Sequence, residues 1–442
     1  MTDQPHKWNH DSVLIKLGII IALILLLLIP SSWIQGLITD REGYQQENIN
    51  KVADKWAGSQ LIQGPVLMLP YRKTVTEINS ANQPVTHEVT KILYTLPLHI
   101  QFKAGVTTEL FQSGIYDATV YNSKIMVSGN FAKPLLDEAG IDPSMILYDK
   151  ARLIFSVSDL KGLKNNPSIN IQGQNYNAEP TVEQNLPIEN ALQVSFPLPK
   201  DNGFDFNYQL DVKGSNELNF LDIGQTTDVE VNSDWKHPDF NGRYLPDSRK
   251  ITGDGFGAKW QLSGLNRPFP QQWTIGDSVL TSKKALTEGV FGVKLQLPID
   301  QYRKIMRTTK YSTLIILLTF VSLFLTEMIK KERVHVFNYT LIGAAMVVYY
   351  TLLLSFSEQI GFNYAYLLSS VATIGLIATF TASLLKNKKV AVLFTFILSV
   401  FYGFIFIIIQ LEELSLLFGS IALFIIVATL MYFSGKINWD KY

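Results

Sequence analysis

VAVLFTFILSVFYGFIFIII (Val390–Ile409) contains no charged residue, and no polar stripe recurs along it at a helical period. A helix of that length rises about 30 Å, the thickness of a bilayer's hydrocarbon core. In a water-soluble globule, such a helix would bury one face and wet the other. This one has no face to offer water. It reads as a membrane span, and the rest of the chain follows from that reading.

Five further windows read the same way: Val13–Ile34, Ser312–Ile329, Phe337–Ser355, Asn363–Leu385 and Leu414–Phe433. The six windows hold about 120 residues, each window long enough to span. Their only charges are Lys16 and Glu327. The chain of 442 residues is 47% hydrophobic and 17% charged. Outside the windows the charged share rises to about 23%, ordinary for protein that faces water. The composition therefore excludes a single soluble globule, a disordered chain and a fibrous repeat. Net charge is zero, so the basic surplus that nucleic acid attracts is missing. Cysteine is absent, which removes disulfides, thiol catalysis and Cys-based metal sites.

Charge asymmetry sets the expected orientation. Lys7 and Lys16 flank the first span; Lys330, Lys331 and Arg333 follow the second. Lys386, Lys388 and Lys389 follow the fourth, and Lys436 and Lys441 follow the last. The opposite short loops, at Glu358 and at Glu412–Glu413, contain no Lys or Arg. By the positive-inside rule both termini are cytoplasmic. The expected layout is a cytoplasmic N-terminus (1–12), an uncleaved signal anchor (13–35) and an extracytoplasmic domain (36–310). A five-helix transmembrane bundle (311–433) and a cytoplasmic C-terminus (434–442) complete it. The first apolar run is too long for a signal-peptide core, and SSWIQG offers no small-x-small cleavage site. Arg303, Lys304, Arg307 and Lys310 sit just outside span two, either as an amphipathic stem snorkelling to headgroups or as a lipid-phosphate contact.

The 36–310 segment changes to Thr, Val, Asn, Tyr and Gly in short alternating runs. His87–Gly105, Ile115–Phe131, ARLIFSVSD, FDFNYQLDVKGS and GFGAKWQL read as strands. Helical signal is confined to Tyr44–Gln60 and short pieces near Phe131–Ala139, and Lys161–Pro180 reads as a long mobile loop. The fold class is thus mixed: six α-helical spans plus a β-rich extracytoplasmic domain, a sandwich or layered antiparallel sheets. One lobe or two is left open.

Chemistry-bearing patterns are sparse. His6, His10, His87, His99, His237 and His335 show no paired metal spacing. His237, between Asp234 and Asp239, is the best acid–base or metal candidate, although Pro238 and Gly242 suit a turn better. GDGFG (Gly253–Gly257) lacks a P-loop lysine and reads as a β turn or bulge. No nucleophile elbow occurs. Glu327 is either an intramembrane functional acid or a snorkelling carboxylate paired with Lys330 or Lys331. No catalytic, cofactor or metal residue is assigned.

Several blocks in order are similar to one family. They are REGYQQENINKVADKWAGSQLIQGPVLMLPY (Arg41–Tyr71), SGIYDATVYNSKIMVSGNF (Ser113–Phe131) and SDWKHPDFNGRYLPDSRKITGDGFGAKWQLSGLNRPFPQQW (Ser233–Trp273). FGVKLQLPIDQYRKIMRTTKYSTLIILLTFVSLFLTEM (Phe291–Met328) and YTLIGAAMVVYYTLLLSFSEQIGFNYAYLLSS (Tyr339–Ser370) continue the series. Together they resemble the CreD family of bacterial inner-membrane proteins over nearly the whole chain. The one departure is FQSGIYDATVY (Phe111–Tyr121), where the family pattern carries an Arg before Gly-Ile-Tyr. The resemblance implies an external domain between a first span and a cluster of later ones. It also implies a link to envelope stress, colicin tolerance and β-lactam response, and it assigns no catalytic residue.

The leading expectation is a non-enzymatic protein of cell-envelope integrity. Its external domain would bind a wall, lipid or protein partner, with membrane lipids around the helices and no cofactor. The alternative is a transporter or lipid-handling protein using spans two to six. An enzyme acting on envelope polymers would require His237, Asp239 and another carboxylate to share a pocket. The oligomeric state is left open.

Overall fold

The computed structural model describes residues 13–78, 83–181, 183, 186–200, 202–267, 269–274, 287–295, 297, 300–330, 334–385, 388–411 and 415–434. Outside them lie Lys7, His6, His10, Lys331, Arg333, Lys386, Glu412, Glu413, Lys436 and Lys441. The chain forms two compact units: Met1–Gln45 with Ile299–Tyr442, and Gln46–Pro298.

The first unit is helical. It contains most of α1 (Val13–Trp56), then α2 (Asp300–Lys310), α3 (Ser312–Lys330), α4 (Val336–Ile360), α5 (Phe362–Leu385), α6 (Lys388–Gln410) and α7 (Ser415–Ser434). Among the described residues, Ile15–Trp56, Val336–Ile360, Phe362–Leu384 and Ala391–Gln410 are long and apolar enough to cross a membrane. Gln301–Lys310 and Ser312–Met328 add a fifth if the pair, bent by 41°, is one broken span. Among the described residues, four or five helices therefore meet this test, against the six spans expected. The stem and the second span are two helices meeting at Tyr311, and α7 is a 20-residue helix with several side chains outside the described set.

Ile24 and Leu27 of α1, Phe320 of α3, Ile342, Met346 and Leu353 of α4, and Leu398 of α6 share one buried apolar cluster. Gly343 lets α1 and α4 approach: a Cβ there would lie 2.3 Å from Leu27 Cδ1. The first span and the expected Tyr44–Gln60 helix are one 44-residue helix with Pro30 inside it. The polar stretch between them, TDREGYQQE, has no helix breaker beyond Gly43, so nothing stops propagation.

The second unit is a two-sheet sandwich. One sheet runs β13 (Asp239–Gly242), β17 (Val290–Lys294), β11 (Glu217–Leu221), β1 (Gln60–Ile78), β5 (Ala151–Val157), β9 (Ala191–Phe196) and β8 (Glu179–Pro180). β2 (Pro84–Thr95) adds to β1, and β16 (Gln272–Thr274) adds to β2. The other runs β14 (Ser248–Thr252), β15 (Gly255–Ser263), β12 (Thr226–Ser233), β3 (His99–Ser113), β4 (Tyr116–Phe131), β10 (Phe204–Ser215), β6 (Ser168–Ile171) and β7 (Gln174–Asn177). The sheets are mixed, not purely antiparallel: β1 pairs β11, and β12 pairs β3, in parallel.

Aromatic side chains from the two inner faces meet in one core. Phe102 lies on Phe220 with ring centroids 5.3 Å apart, Phe155 on Tyr208 at 4.8 Å, and Trp260 on Phe291 at 5.7 Å. A single contiguous apolar cluster runs through both sheets, so the body is one lobe.

Local differences from the sequence reading have local causes. His87–Gly105 is two strands in different sheets, because Pro97 stops the first ladder. Within the expected loop, Ile169 and Ile171 point into the core, and Gln172–Gly173 at φ 50° and 87° turn a β6–β7 hairpin. Phe131–Ala139 forms a turn at its end, not a helix. β4 is buried on both faces near Ala118 and Val120, since Ile49 and Val52 at the end of α1 cover its outer side. GDGFG closes the β14–β15 hairpin, and a Cβ on Gly255 (φ 145°) would lie 2.1 Å from Ser233 O.

Candidate functional site

Three polar clusters stand out against apolar surroundings. The first is in the helical unit. Glu327 on α3 is only 8% exposed, yet it is fully partnered. It forms an ion pair with Lys16 of α1, and it accepts hydrogen bonds from Val334 N (3.1 Å) and Tyr339 Oη (3.1 Å). Lys16 Nζ also donates to Val334 O at 2.8 Å and lies 5.9 Å from the Tyr339 ring centroid. The pair joins residues 311 positions apart, while the same-helix candidates, the Lys330 side chain and Lys331, lie outside the described residues. The sequence held the clue: the only two charges in the apolar windows have opposite signs.

At the other end of α4, Tyr302 Oη donates to Glu358 Oε1 at 3.0 Å. Arg307 donates to Ile408 O (3.3 Å) and Leu411 O (3.4 Å), satisfying carbonyls at the α6 C-terminus. Arg307 therefore caps a helix, whereas Arg303 and Lys310 are exposed. Deeper in the bundle, Tyr366 Oη donates to Tyr402 O at 2.7 Å, and the Tyr349 ring stands edge-on to Tyr402 at 5.0 Å. The hydroxyls of Tyr349, Tyr402, Ser369 and Ser370 are buried without a hydrogen-bond partner among the described residues.

The third cluster lies where the β chain changes sheets. Asp222 follows β11 and is 0% exposed. Neither carboxyl oxygen has a hydrogen-bond partner among the described residues. Burial pushes its pKa up, while the neighbouring Thr227 hydroxyl and the Arg267 guanidinium pull it down less strongly. Arg267 donates to Phe269 O (3.0 Å), Ile223 O (2.7 Å) and Gln271 Oε1 (2.6 Å). Burial lowers its own pKa, against the opposing pull of Asp222. Gln271 Nε2 in turn donates to Leu96 O at 2.6 Å. Nothing in the local sequence pattern announces this group, because its members come from three separated turns.

The histidine candidate does not assemble. His237 is exposed and its carbonyl accepts from Trp235 Nε1 at 2.9 Å. Asp234 accepts from Thr108 N (2.9 Å) and Thr108 Oγ1 (2.8 Å), tying a loop to β3. Asp239 stands exposed in β13. His335 caps α4, its Nδ1 accepting from Phe337 N at 3.1 Å. Among the described residues, no three His, Asp or Glu side chains converge on a metal position.

Two expectations follow. Lys16→Met or Glu327→Gln alone strands a charge in a low-dielectric site and costs about 3–5 kcal/mol, whereas the double variant recovers most of it. Thermal unfolding of the four proteins in detergent checks this, and additive losses would contradict it. For Asp222, a folded pKa above the unfolded one means stability is present below about pH 4 and is lost as pH rises through the raised value. Asp222→Asn should therefore remove that decline and stabilise the protein at neutral pH by on the order of 1 kcal/mol. Unfolding midpoints from pH 4 to 8 decide it.

The family profile described as "Inner membrane protein CreD" matches residues 12–440. A relative from Escherichia coli (strain K12), "Inner membrane protein CreD", is 27% identical across 99% of this chain and 95% of its own length. With apolar helices, a two-sheet body and a match spanning both units, the chain belongs to the CreD family of inner-membrane proteins.

Proposed function

We propose that the protein supports cell-envelope integrity and the stress response without catalysing a reaction, its β-rich body binding an envelope protein or wall component. One observation carries the reading. Beyond Tyr71 and Lys91, β1 and β2 pair only with each other among the described residues, from Arg72↔Thr90 to Ile78↔Pro84. The ribbon reaches about 20 Å past the sheet. It is exposed on both faces, with Ile78 at 72%. Isolated two-stranded ribbons are marginal in water, so a long exposed one is better explained by a partner than by the fold's own needs.

The proposed topology has six spans, both termini cytoplasmic and the body periplasmic. It treats α3 and α7 as spans in their own right and rests on the positive-inside asymmetry. Alkaline phosphatase fused at Lys200 should be active and at Tyr442 inactive; the reverse pattern would place the body in the cytosol and end the proposal.

A second reading, lipid handling or transport by the bundle, draws on the buried Tyr349, Tyr402, Ser369 and Ser370 hydroxyls. Replacing residues 73–90 with a short turn in the full chain separates the two. On the leading reading, the shortened protein keeps its unfolding midpoint but fails to restore envelope tolerance in cells lacking the protein. If it restores tolerance fully while Glu358→Gln, inserted and with an unchanged unfolding midpoint, does not, the function lies in the bundle.

A further inference from the structure

The outer face of the sheet that runs from β14 to β7 carries a depression that the fold itself does not need. Strand pairing sets Lys250, Gly257, Asn232, Gly105 and Lys124 in one row across five strands. Ser248, Lys259, Glu230, Lys103 and Met126 form the row beside it. Ala104, Val231 and Ala258, which alternate with them along the strands, are buried, so both rows face water.

Glycine inside a strand costs backbone entropy and often marks a place where a ligand or another backbone comes close. Gly129 of β4 has an internal reason: a Cβ there would lie 2.2 Å from His99 O. Gly105 has none. A Cβ there would meet nothing within 4 Å, and its backbone is not left-handed. At Gly257 a Cβ would meet only Asn232 Oδ1, the end of a side chain, at 2.8 Å. The two glycines leave a bare floor on either side of Asn232, continuous with a cleft of about 510 Å3 along Lys250, Gly257 and Lys259.

Cations surround that floor. Glu230 is already answered by Lys259 at 3.4 Å and by Asn232 Nδ2 at 3.2 Å. Lys103, Lys124 and Lys250 are exposed and form no ion pair among the described residues. The other acids nearby are Asp254 at the β14–β15 turn and Asp211 of β10, which accepts from Gln209 Nε2 at 2.8 Å.

We propose that this floor seats an extended acidic peptide segment of a partner protein, laid across the strands with carboxylates at Lys250 and Lys124. Those two lysines are four strand spacings apart, about 19 Å, which about six residues of extended chain cover. Lys103 flanks the middle, and Asn232 Oδ1 stands over the floor as an acceptor for a peptide N–H. Neither row holds an aromatic ring on which a sugar could stack, which favours a peptide over an acidic glycan. The site lies on the opposite sheet from the β1–β2 ribbon and stands whether or not the ribbon binds a partner.

The test uses the full protein in detergent and a fluorescent peptide of alternating glutamate and glycine, read by anisotropy. The peptide should bind, more weakly as salt rises. Lys124→Gln and Lys250→Gln should each weaken it several-fold, whereas Lys150→Gln, just before β5, and replacement of residues 73–90 by a turn should not. Gly105→Thr decides between a seat and mere charge. A β-branched residue with nothing to clash against should keep or raise the unfolding midpoint, yet its side chain occupies the floor and should weaken the peptide about tenfold or more. Absence of binding overturns the proposal, as does binding that Gly105→Thr leaves unchanged. A lowered midpoint in Gly105→Thr removes the premise and overturns it as well. An acidic polysaccharide that displaces the peptide at lower charge concentration would assign the floor to a glycan instead.

Discussion

One guanidinium governs how the two sheets are joined. A sandwich whose chain repeatedly changes sheets must carry polar backbone through its edges, where ladder partners run out. Arg267 answers this at three crossings. It binds Phe269 O within its own crossing and Ile223 O on the β11–β12 crossing, and through Gln271 it reaches Leu96 O between β2 and β3. Hydrogen bonds to a charged donor contribute about 1.5–3 kcal/mol each, and a whole domain is stable by only about 5–15 kcal/mol. Arg267 donates from three separate nitrogens held in one plane, whereas a lysine would have to reach all three acceptors from a single nitrogen, and its ammonium loses more hydration on burial. Asp222 supplies the opposing charge without a direct bond to Arg267, and its own desolvation is only partly offset by the Thr227 hydroxyl and the guanidinium.

The helical unit meets the same constraint more severely, because lipid offers no partner to a stray polar group. Lys16 and Glu327 neutralise each other across helices, and the remaining acceptor capacity of Glu327 is taken by Val334 N and Tyr339 Oη. Arg307 and Glu358 do comparable work near the opposite end of α4 and α6. Several buried Ser and Thr in the bundle bond their own helix, as Ser31 does to Leu27 O and Thr319 to Ile315 O. Ser369, Ser370 and Thr381, all on α5, do not.

What the sequence revealed was what depends on neighbours in the chain. FDFNYQLDVKGS is β10 to the residue, and Val390–Ile409 lies within α6, because period-two alternation and uninterrupted hydropathy are local properties. The Lys161–Pro180 segment was misread because polar Asn and Gln masked the alternating Ile169 and Ile171. The partner of Glu327 and the Asp222–Arg267 group were illegible for a different reason. They are joined across 311 and 45 positions, by the packing of α1 on α3 in the first case and by the crossings between sheets in the second.

The anchoring helix is also part of the β body's interior. Ile49 and Val52 cover Ala118 and Val120, Trp56 lies under Lys213, and Lys161 Nζ caps Asp54 O at 2.9 Å. Cutting the chain after the apparent end of the membrane segment, and starting a fragment at Gln60, would expose the outer face of β4. Without cysteine, no disulfide can compensate for that lost cover. The helix therefore serves the body twice, as tether and as a packed layer, and a pull on the tether bears directly on the β4 face.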